Sequence, residues 1–496
     1  MRRDIHAWNS KWRAAWGALC VLPVLAVAVL VVACGGGYGS GSNVSGPGTS
    51  SAASSVSIGP ITGFGSVHLN GLQFQTGSAT INVDGKAASQ DGLRAGQVVE
   101  VKSHHDDSTN MDVADDIEFR GNVVGPVSSV DTTAGSLVVL GQTVLVTMDT
   151  SFDDDISPAS LAGIQVGQII EVSGLPAADG SIQATRIEGK PAGTAFQVIG
   201  TASATDATAK TLHINGLVVD FSSATLVDFG ASGPTDGQLI EASGTTLESS
   251  GALAATRLEL RTGKQLRADA GDELRVEGLI TRFASATDFD VNGQPVTTTA
   301  STRFEGGVAS DLALSVRVEV EGTTDSTGLL TATKVEIQPN PQVRVFAQVD
   351  AVDATAGTVT MLGMTISVNA MTRFEDHGSQ KVDTFSLANV HTGDWLEVRG
   401  TEASAGSTSV TATRVDRRQP QSQVMLSGLV SSATAPNFMI LATNVATTSA
   451  TQFNHGLNAT TFFTGLVGKV ASVQGSWDGT TLTAQKVQLG EDDNDD

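Results

Sequence analysis

Along most of the chain, aliphatic and polar residues alternate over short runs interrupted by glycine-bearing turns, the period of half-buried strands rather than of helices. One run recurs as Gly96-Gln97-Val98-Val99-Glu100-Val101, Gly167-Gln168-Ile169-Ile170-Glu171-Val172 and Gly237-Gln238-Leu239-Ile240-Glu241-Ala242. It returns as Ser315-Val316-Arg317-Val318-Glu319-Val320, Gly393-Asp394-Trp395-Leu396-Glu397-Val398 and, more loosely, Gly468-Lys469-Val470-Ala471-Ser472-Val473. The intervals are 71, 70, 78, 78 and 75 residues. A second run follows after 16 to 19 residues, as Ala184-Thr185-Arg186-Ile187, Ala255-Thr256-Arg257-Leu258, Ala332-Thr333-Lys334-Val335 and Ala412-Thr413-Arg414-Val415. Ala114-Asp115-Asp116-Ile117 and Ala484-Gln485-Lys486-Val487 are its divergent copies. Two linked runs in six registers mark an internal repeat.

Upstream of each Glu run, Asn70-Gly71, Leu140-Gly141, Asn215-Gly216, Asn292-Gly293 and Leu362-Gly363 separate β-rich segments, where Asn-Gly supplies the positive φ of a tight hairpin. The sixth copy lacks this turn. A Thr-x-Phe corner follows in most copies, from Thr150 to Phe152, Thr302 to Phe304, Thr372 to Phe374 and Thr451 to Phe453. Each unit should hold five or six short strands, with a loop or single helical turn before the Glu strand. The fold class expected is mainly β: six tandem OB-like or SH3-like β-barrel modules, closed or half-closed so that few edges stay exposed. A flat β-sandwich made from pairs of repeats is the alternative.

The segmentation is a signal peptide over 1–33, a linker over 34–57, repeats over 58–119, 120–190, 196–262, 273–338, 343–417 and 422–490, and an acidic tail over 491–496. Joints such as Pro191-Ala192-Gly193, Pro339-Asn340-Pro341 and Arg417-Arg418-Gln419-Pro420 limit bending, which suggests a semi-rigid string of domains. Units of roughly 70 residues are marginal alone, so contacts between neighbours should add stability.

The first 33 residues supply the address. Arg2, Arg3, Lys11 and Arg13 precede an uncharged run from Trp16 to Ala33, the pattern of a signal sequence. Val31-Val32-Ala33-Cys34 resembles the bacterial lipobox, which implies cleavage between Ala33 and Cys34 and lipid on the Cys34 thiol. An uncleaved membrane helix is the competing reading, at the lower limit of length for spanning. Against it, Gly35-Gly36-Gly37-Tyr38-Gly39-Ser40-Gly41-Ser42 opens a flexible tether with a reach of roughly 25 to 30 Å. Gly35, where inner-membrane lipoproteins tend to carry Asp, points by resemblance to the outer membrane, on its periplasmic or surface face.

Charge and cysteine content narrow the classes further. The whole chain carries a net charge of -23, and loss of four bases and one acid with the signal leaves -26. Such a surface repels phosphate backbones, so no nucleic acid partner is expected. The two cysteines, Cys20 and Cys34, both precede the repeats, which rules out disulfide staples and paired-cysteine zinc sites there. Aromatic residues are 5% of the chain, with a single tyrosine, Tyr38, which disfavours a stacking groove for sugars.

The Gly-Gln-x-(Val/Ile)-Glu-Val run, the Asn-Gly hairpin and the Ala-Thr-(Arg/Lys)-(Val/Ile) run together resemble the bacterial repeats of domain of unknown function 5666, often found in several copies behind a lipobox. The resemblance covers roughly Ile58 to Leu489 and implies an exported OB-like module, with no catalytic residues to transfer.

The recurring Glu100, Glu171, Glu241, Glu319 and Glu397 are the most regular polar positions. Alternation aims their aliphatic neighbours at the core and the glutamates outward. Surface pairs are therefore expected between Glu171 and Arg186, Glu241 and Arg257, Glu319 and Lys334, and Glu397 and Arg414, each worth about 0.2 to 1 kcal/mol. The contiguous acids of His104-His105-Asp106-Asp107, Asp153-Asp154-Asp155 and the tail from Glu491 to Asp496 lack the alternation and turn glycine of calcium loops, so no metal and no cofactor are expected. Trp395, Arg317, Phe462 and Phe463 depart from the repeat pattern; Trp395 sits at an outward position suited to packing or to a sugar. Signatures of serine hydrolases, zinc proteases and phosphate loops are absent.

These readings favour a non-enzymatic, lipid-anchored cell-envelope protein serving as spacer, adhesin or binding scaffold. Its partners would be the membrane through Cys34 and an envelope protein or polysaccharide; no oligomeric state follows. A carbohydrate- or small-ligand-binding lipoprotein using barrel faces is the alternative, and a hydrolase would need a cleft of paired acids in one repeat.

Overall fold

The computed structural model describes residues 54–261, 268–338, 341–402, 408–454 and 457–490. Repeat 2 shows how one unit closes. Its opening strand, Val123–Asp131, runs antiparallel to the hairpin strand Ser136–Val139, which turns into Gln142–Leu145. That strand lies parallel to the closing strand Ile182–Gly189, with Val144 beside Ile182. The closing strand pairs antiparallel with the Glu strand Ile169–Pro176, which returns to the opening strand with Glu171 beside Val124. Numbered along the chain without the short corner strand Ser151–Phe152, the ring order is 1-2-3-5-4-1 with strands 3 and 5 parallel, an OB-type barrel.

The same circuit recurs in every repeat, so the chain is six small OB-like barrels rather than flat sandwiches. Repeat 1 adds a hairpin of Thr80–Val83 with Lys86–Ala88, and its opening strand meets the next through a single bridge, Gly63 with His68. Single turns precede the Glu strand at Gln90–Gly92, Leu161–Gly163, Ala309–Asp311, Leu387–Asn389 and Ala459–Phe463.

The recurring motifs are the joints of this barrel. The hydroxyls of Thr150, Thr302, Thr372 and Thr451 each donate to the carbonyl of the alanine opening the closing-strand motif: Ala184, Ala332, Ala412 and Ala484, at 2.7 to 2.8 Å. The Thr-x-Phe corner and the Ala-Thr motif therefore recur together. A glycine three residues after the glutamate sits at a register shift; at Gly322 a Cβ would come 2.1 Å from the Thr331 carbonyl oxygen, and at Gly400 2.2 Å from that of Thr411.

The sixth copy does have the hairpin that its missing glycine argued against. Asn437–Ile440 turns through Leu441, at φ 53°, into Thr443–Ala446. Leu140 and Leu362 adopt the same left-handed conformation, and all three leucines are buried, so apolar burial offsets the strain that asparagine avoids.

A string of independent domains is not what forms. The described residues, from 54 to 490, form one compact unit. Repeats 2 and 3 share a twelve-stranded sheet through Val123 and Val124 beside Val198 and Gln197. Repeats 5 and 6 share a thirteen-stranded one through Arg344–Phe346 beside Met425–Ser427. Repeat 1 skips its neighbours and pairs in parallel with repeat 4, Ser55–Ile58 against Glu273–Val276. The cause lies in the opening strand: in repeat 2 its first residues pair with the Glu strand on one side, while the hairpin covers the other side only from Val127 onward. The uncovered start is an open edge, and a second barrel closes it. The apolar cores follow the sheets, one continuous through repeats 2 and 3 and another through repeats 5 and 6.

Candidate functional site

Of the five glutamates expected on the surface, Glu100 is half-buried and the other four are buried. Glu171, Glu241, Glu319 and Glu397 are 1 to 4% exposed. Their expected partners are also two residues out of register. The core residues Val172 and Ile187 pair across the two strands, so Glu171 stands opposite Glu188, and Arg186 opposite Ser173. The same geometry sets Glu100 against Glu118, Glu241 against Glu259, Glu319 against Glu336 and Glu397 against Asp416. Repeat 6 replaces the pair with Ser472 and Gln488. An acid recurs two residues after the closing-strand Arg or Lys in four copies, and that repetition was the signal available in the sequence.

Each carboxylate pair is resolved differently. Lys190 reaches both Glu171 and Glu188. Glu241 is met by Arg120 at 3.1 Å and Arg261 at 3.5 Å rather than by Arg257, which pairs with Glu259. Glu397 is surrounded by Arg344, Arg399 and Arg418 at 2.6 to 2.9 Å, and Arg414 goes to Asp416 and Glu375. Of the four expected contacts only Glu319 with Lys334 occurs, at 4.0 Å. Burial raises the Glu171 carboxyl to about 8, helped by Asp84 and opposed by Lys190. At Glu397 burial acts in the same direction, but Arg344, Arg399 and Arg418 outweigh it and hold the carboxyl well below its usual range.

The outward face of these strands is where the barrels dock. Over repeat 2, Gln97 of repeat 1 donates to Glu188 at 3.1 Å, and the Ser173 hydroxyl accepts from the Val98 amide at 2.8 Å. The turn Met148–Thr150 of repeat 2 enters a cradle in repeat 5: Arg399 donates to the Met148 carbonyl, Arg414 to that of Thr150, and Arg373 to that of Asp149. The Asp149 carboxylate takes Thr413 at 2.8 Å and Arg317 of repeat 4 at 3.2 Å. Burial would raise this acid, yet Arg317, Arg373, Thr413 and Arg399 hold it low.

Beside this turn, Glu375, His377 and Asp416 bring potential ligand atoms within 4.8 Å of one another. Their charge is already met. Glu375 pairs with Arg186 at 2.7 Å and Arg414 at 2.9 Å, Asp416 with Arg414 and Arg418, and Asp154 holds the His377 Nδ1 at 2.7 Å. Despite burial, Glu375 and Asp416 raise the His377 pKa; its Nε2 lies 3.8 Å from Glu375, on the side of the ring away from Asp154.

Other positions singled out from the sequence are dispersed. His104 and His105 pair with Asp115 and Asp112 across an exposed hairpin, and Asp154 also meets Lys381. Trp395 is half-buried against Phe346, with ring centroids 5.2 Å apart. Phe462 is fully buried beside Phe438, Phe453 and Phe463. Ala33, Cys34, the Trp16–Ala33 run and the acidic tail lie outside the described residues. Among the described residues no helix is long and apolar enough to cross a membrane.

The family model described as domain of unknown function (DUF5666) matches six times, over residues 58–118, 124–188, 200–259, 277–336, 347–416 and 427–488. The chain belongs to the DUF5666 family. Its six DUF5666 copies are the six barrels, and they span more than half of the sequence. No curated protein matches the sequence. Among solved structures, drosophila Unr CSD456 aligns over 34% of this chain and 79% of its own, at 12% identity and a TM-score of 0.13.

Proposed function

We propose that this DUF5666 protein is a non-enzymatic scaffold of the bacterial cell envelope, in which lipid on Cys34 anchors the Gly/Ser-rich segment and the six barrels that follow it work as one rigid body. The body would set a fixed spacing from the membrane or present a fixed surface to another envelope protein or a polysaccharide. The observation that carries this reading is the use made of the buried charges on the strand faces. Arg186 and Arg414 join repeats 2 and 5 through Glu375, Arg317 joins repeats 4 and 2 through Asp149, Arg120 at the joint of repeats 1 and 2 meets Glu241 of repeat 3, and Arg261 of repeat 3 meets Glu118 of repeat 1. Strand faces held open for six separate ligands would not be closed by neighbouring repeats in this way.

Protease treatment of intact cells, beside a Cys34→Ala variant, tests the proposal. The wild-type protein should fractionate with the outer membrane and the variant should be released from it. Identical fractionation of the two would overturn the lipid anchor, and independent release of single repeats by limited proteolysis would overturn the rigid body.

A further inference from the structure

A cavity of about 400 Å³ lies where repeats 1, 2, 4 and 5 meet, with Thr62, Asp149, Glu277, Arg317, Gln338 and Arg373 in its wall. It lies between barrels, with most of its lining from repeats 4 and 5. Its volume falls within the range of small-molecule sites.

Three buried polar atoms of the wall have no hydrogen-bond partner: Nε of Arg373, Nε2 of Gln338 and Oε2 of Glu277. Arg373 stands out because it is 5% exposed and, among the described residues, no carboxylate lies within ion-pair distance of it. Arg317, across the same cavity, has both Glu277 at 2.6 Å and Asp149 at 3.2 Å. Buried guanidiniums are rarely left without a counterion, because desolvation costs several kcal/mol per ion. Burial, and then Arg414, lower the Arg373 pKa to about 10, although Asp149, Glu375 and Asp416 act against them from beyond ion-pair distance.

The remaining charges narrow what could supply the counterion. Asp149, Glu277, Glu336 and Glu402 also line the cavity, which disfavours a compact polyanion. One negative charge placed on Arg373 is accommodated, and Glu277 offers a free acceptor to a donor on the same molecule. We propose that the cavity binds a small monocarboxylic acid bearing hydroxyl or ammonium groups, with its carboxylate on Arg373 and Gln338 and a donor toward Glu277. Sugar acids and amino acids share this chemistry. The inference is independent of the membrane anchor.

Titration calorimetry of the mature chain with D-glucuronate, L-serine, acetate and D-glucose tests it. Saturable binding of glucuronate identifies a sugar-acid site and of serine an amino-acid site, with glucose and acetate at least tenfold weaker. Arg373→Met should weaken binding tenfold or more. Gln338→Leu, which leaves every charge in place, should weaken it several-fold while the melting temperature stays near wild type. No saturable heat with glucuronate or serine, equally tight glucose, or unchanged affinity in Arg373→Met overturns the proposal. Should Arg373→Met fail to fold, unchanged affinity in Gln338→Leu overturns it.

Discussion

Glu319 stands directly opposite Glu277 on the adjoining strand, and both side chains are 1% exposed. Neither oxygen of Glu319 has a hydrogen-bond partner, its other strand neighbour is Glu336, and the nearest cation, on Lys334, is 4.0 Å away. Burial, and then Glu277, raise its carboxyl from 4.5 to about 7. Between these values the folded chain binds a proton that the unfolded chain has released, so this group's contribution falls as pH rises from 4.5 to 7 and stays low above that. Glu319→Gln should remove this slope and stabilise the protein at pH 8 by on the order of 2 to 3 kcal/mol, with little change at pH 4.5. Urea unfolding at the two pH values measures it; equal destabilisation at both would show that ionised Glu319 is favourable.

The equivalent Glu397 should respond in the opposite sense. It neutralises part of a cluster formed by Arg344, Arg399 and Arg418, and its carboxyl is held low although burial opposes this. Glu397→Gln leaves three guanidiniums facing an amide, a loss of about 3 to 5 kcal/mol at pH 7. Its ionised form stabilises the fold above the usual carboxylate pKa, and that contribution is lost as pH falls through the depressed value. The deficit of the variant should therefore narrow on strong acidification, as chemical denaturation would record.

How far the sequence carried the reading follows from the range of its signals. Alternation places Ile170 and Val172 in the core without further information, because strand period is local, and the six registers announce six equivalent barrels. The fate of the opposite face is not local. Glu171 and Glu397 occupy the same place in their repeats, yet one carboxyl is raised by burial and the other is lowered by Arg344, Arg399 and Arg418. Pairing of repeat 1 with repeat 4 depends on matching uncovered edges far apart in sequence, and no spacing encodes it. Arg373 is the variable middle residue of one Thr-x-Phe corner and Asp149 directly precedes another, positions the motif does not specify, so only the docked barrels place them at one junction.

The glycine after the Glu strand offers a test of the barrel itself. At Gly400 an added methyl would meet the Thr411 carbonyl oxygen at 2.2 Å and the Ala412 Cα at 3.0 Å, both backbone atoms unable to turn aside. Gly400→Ala should cost on the order of 2 to 3 kcal/mol by overpacking. Gly230→Ala is the control, since nothing lies within 4 Å of a Cβ there. Comparable melting temperatures for the two variants would show that the strands can separate without penalty.

Asp149 decides whether the barrels stand or fall together. Its carboxylate pairs with Arg317 of repeat 4 and accepts from Thr413 of repeat 5, while the backbone of its own turn takes Arg373, Arg399 and Arg414. Removing the charge takes from Arg317 one of its two acids and from Arg373 and Arg399 of repeat 5 a nearby negative charge, a penalty of about 3 to 5 kcal/mol at a junction rather than in any one core. Asp149→Ala should therefore lower the denaturant midpoint and split a single unfolding transition into two, as repeats 2 and 5 separate before their cores melt. Asp154→Ala removes an exposed acid from the same contact, where His377 and Lys381 are its partners, and should cost under about 1 kcal/mol. One sharp transition at an unchanged midpoint in Asp149→Ala would mean that the shared sheets, and not the buried ion pairs, hold the six barrels as one body.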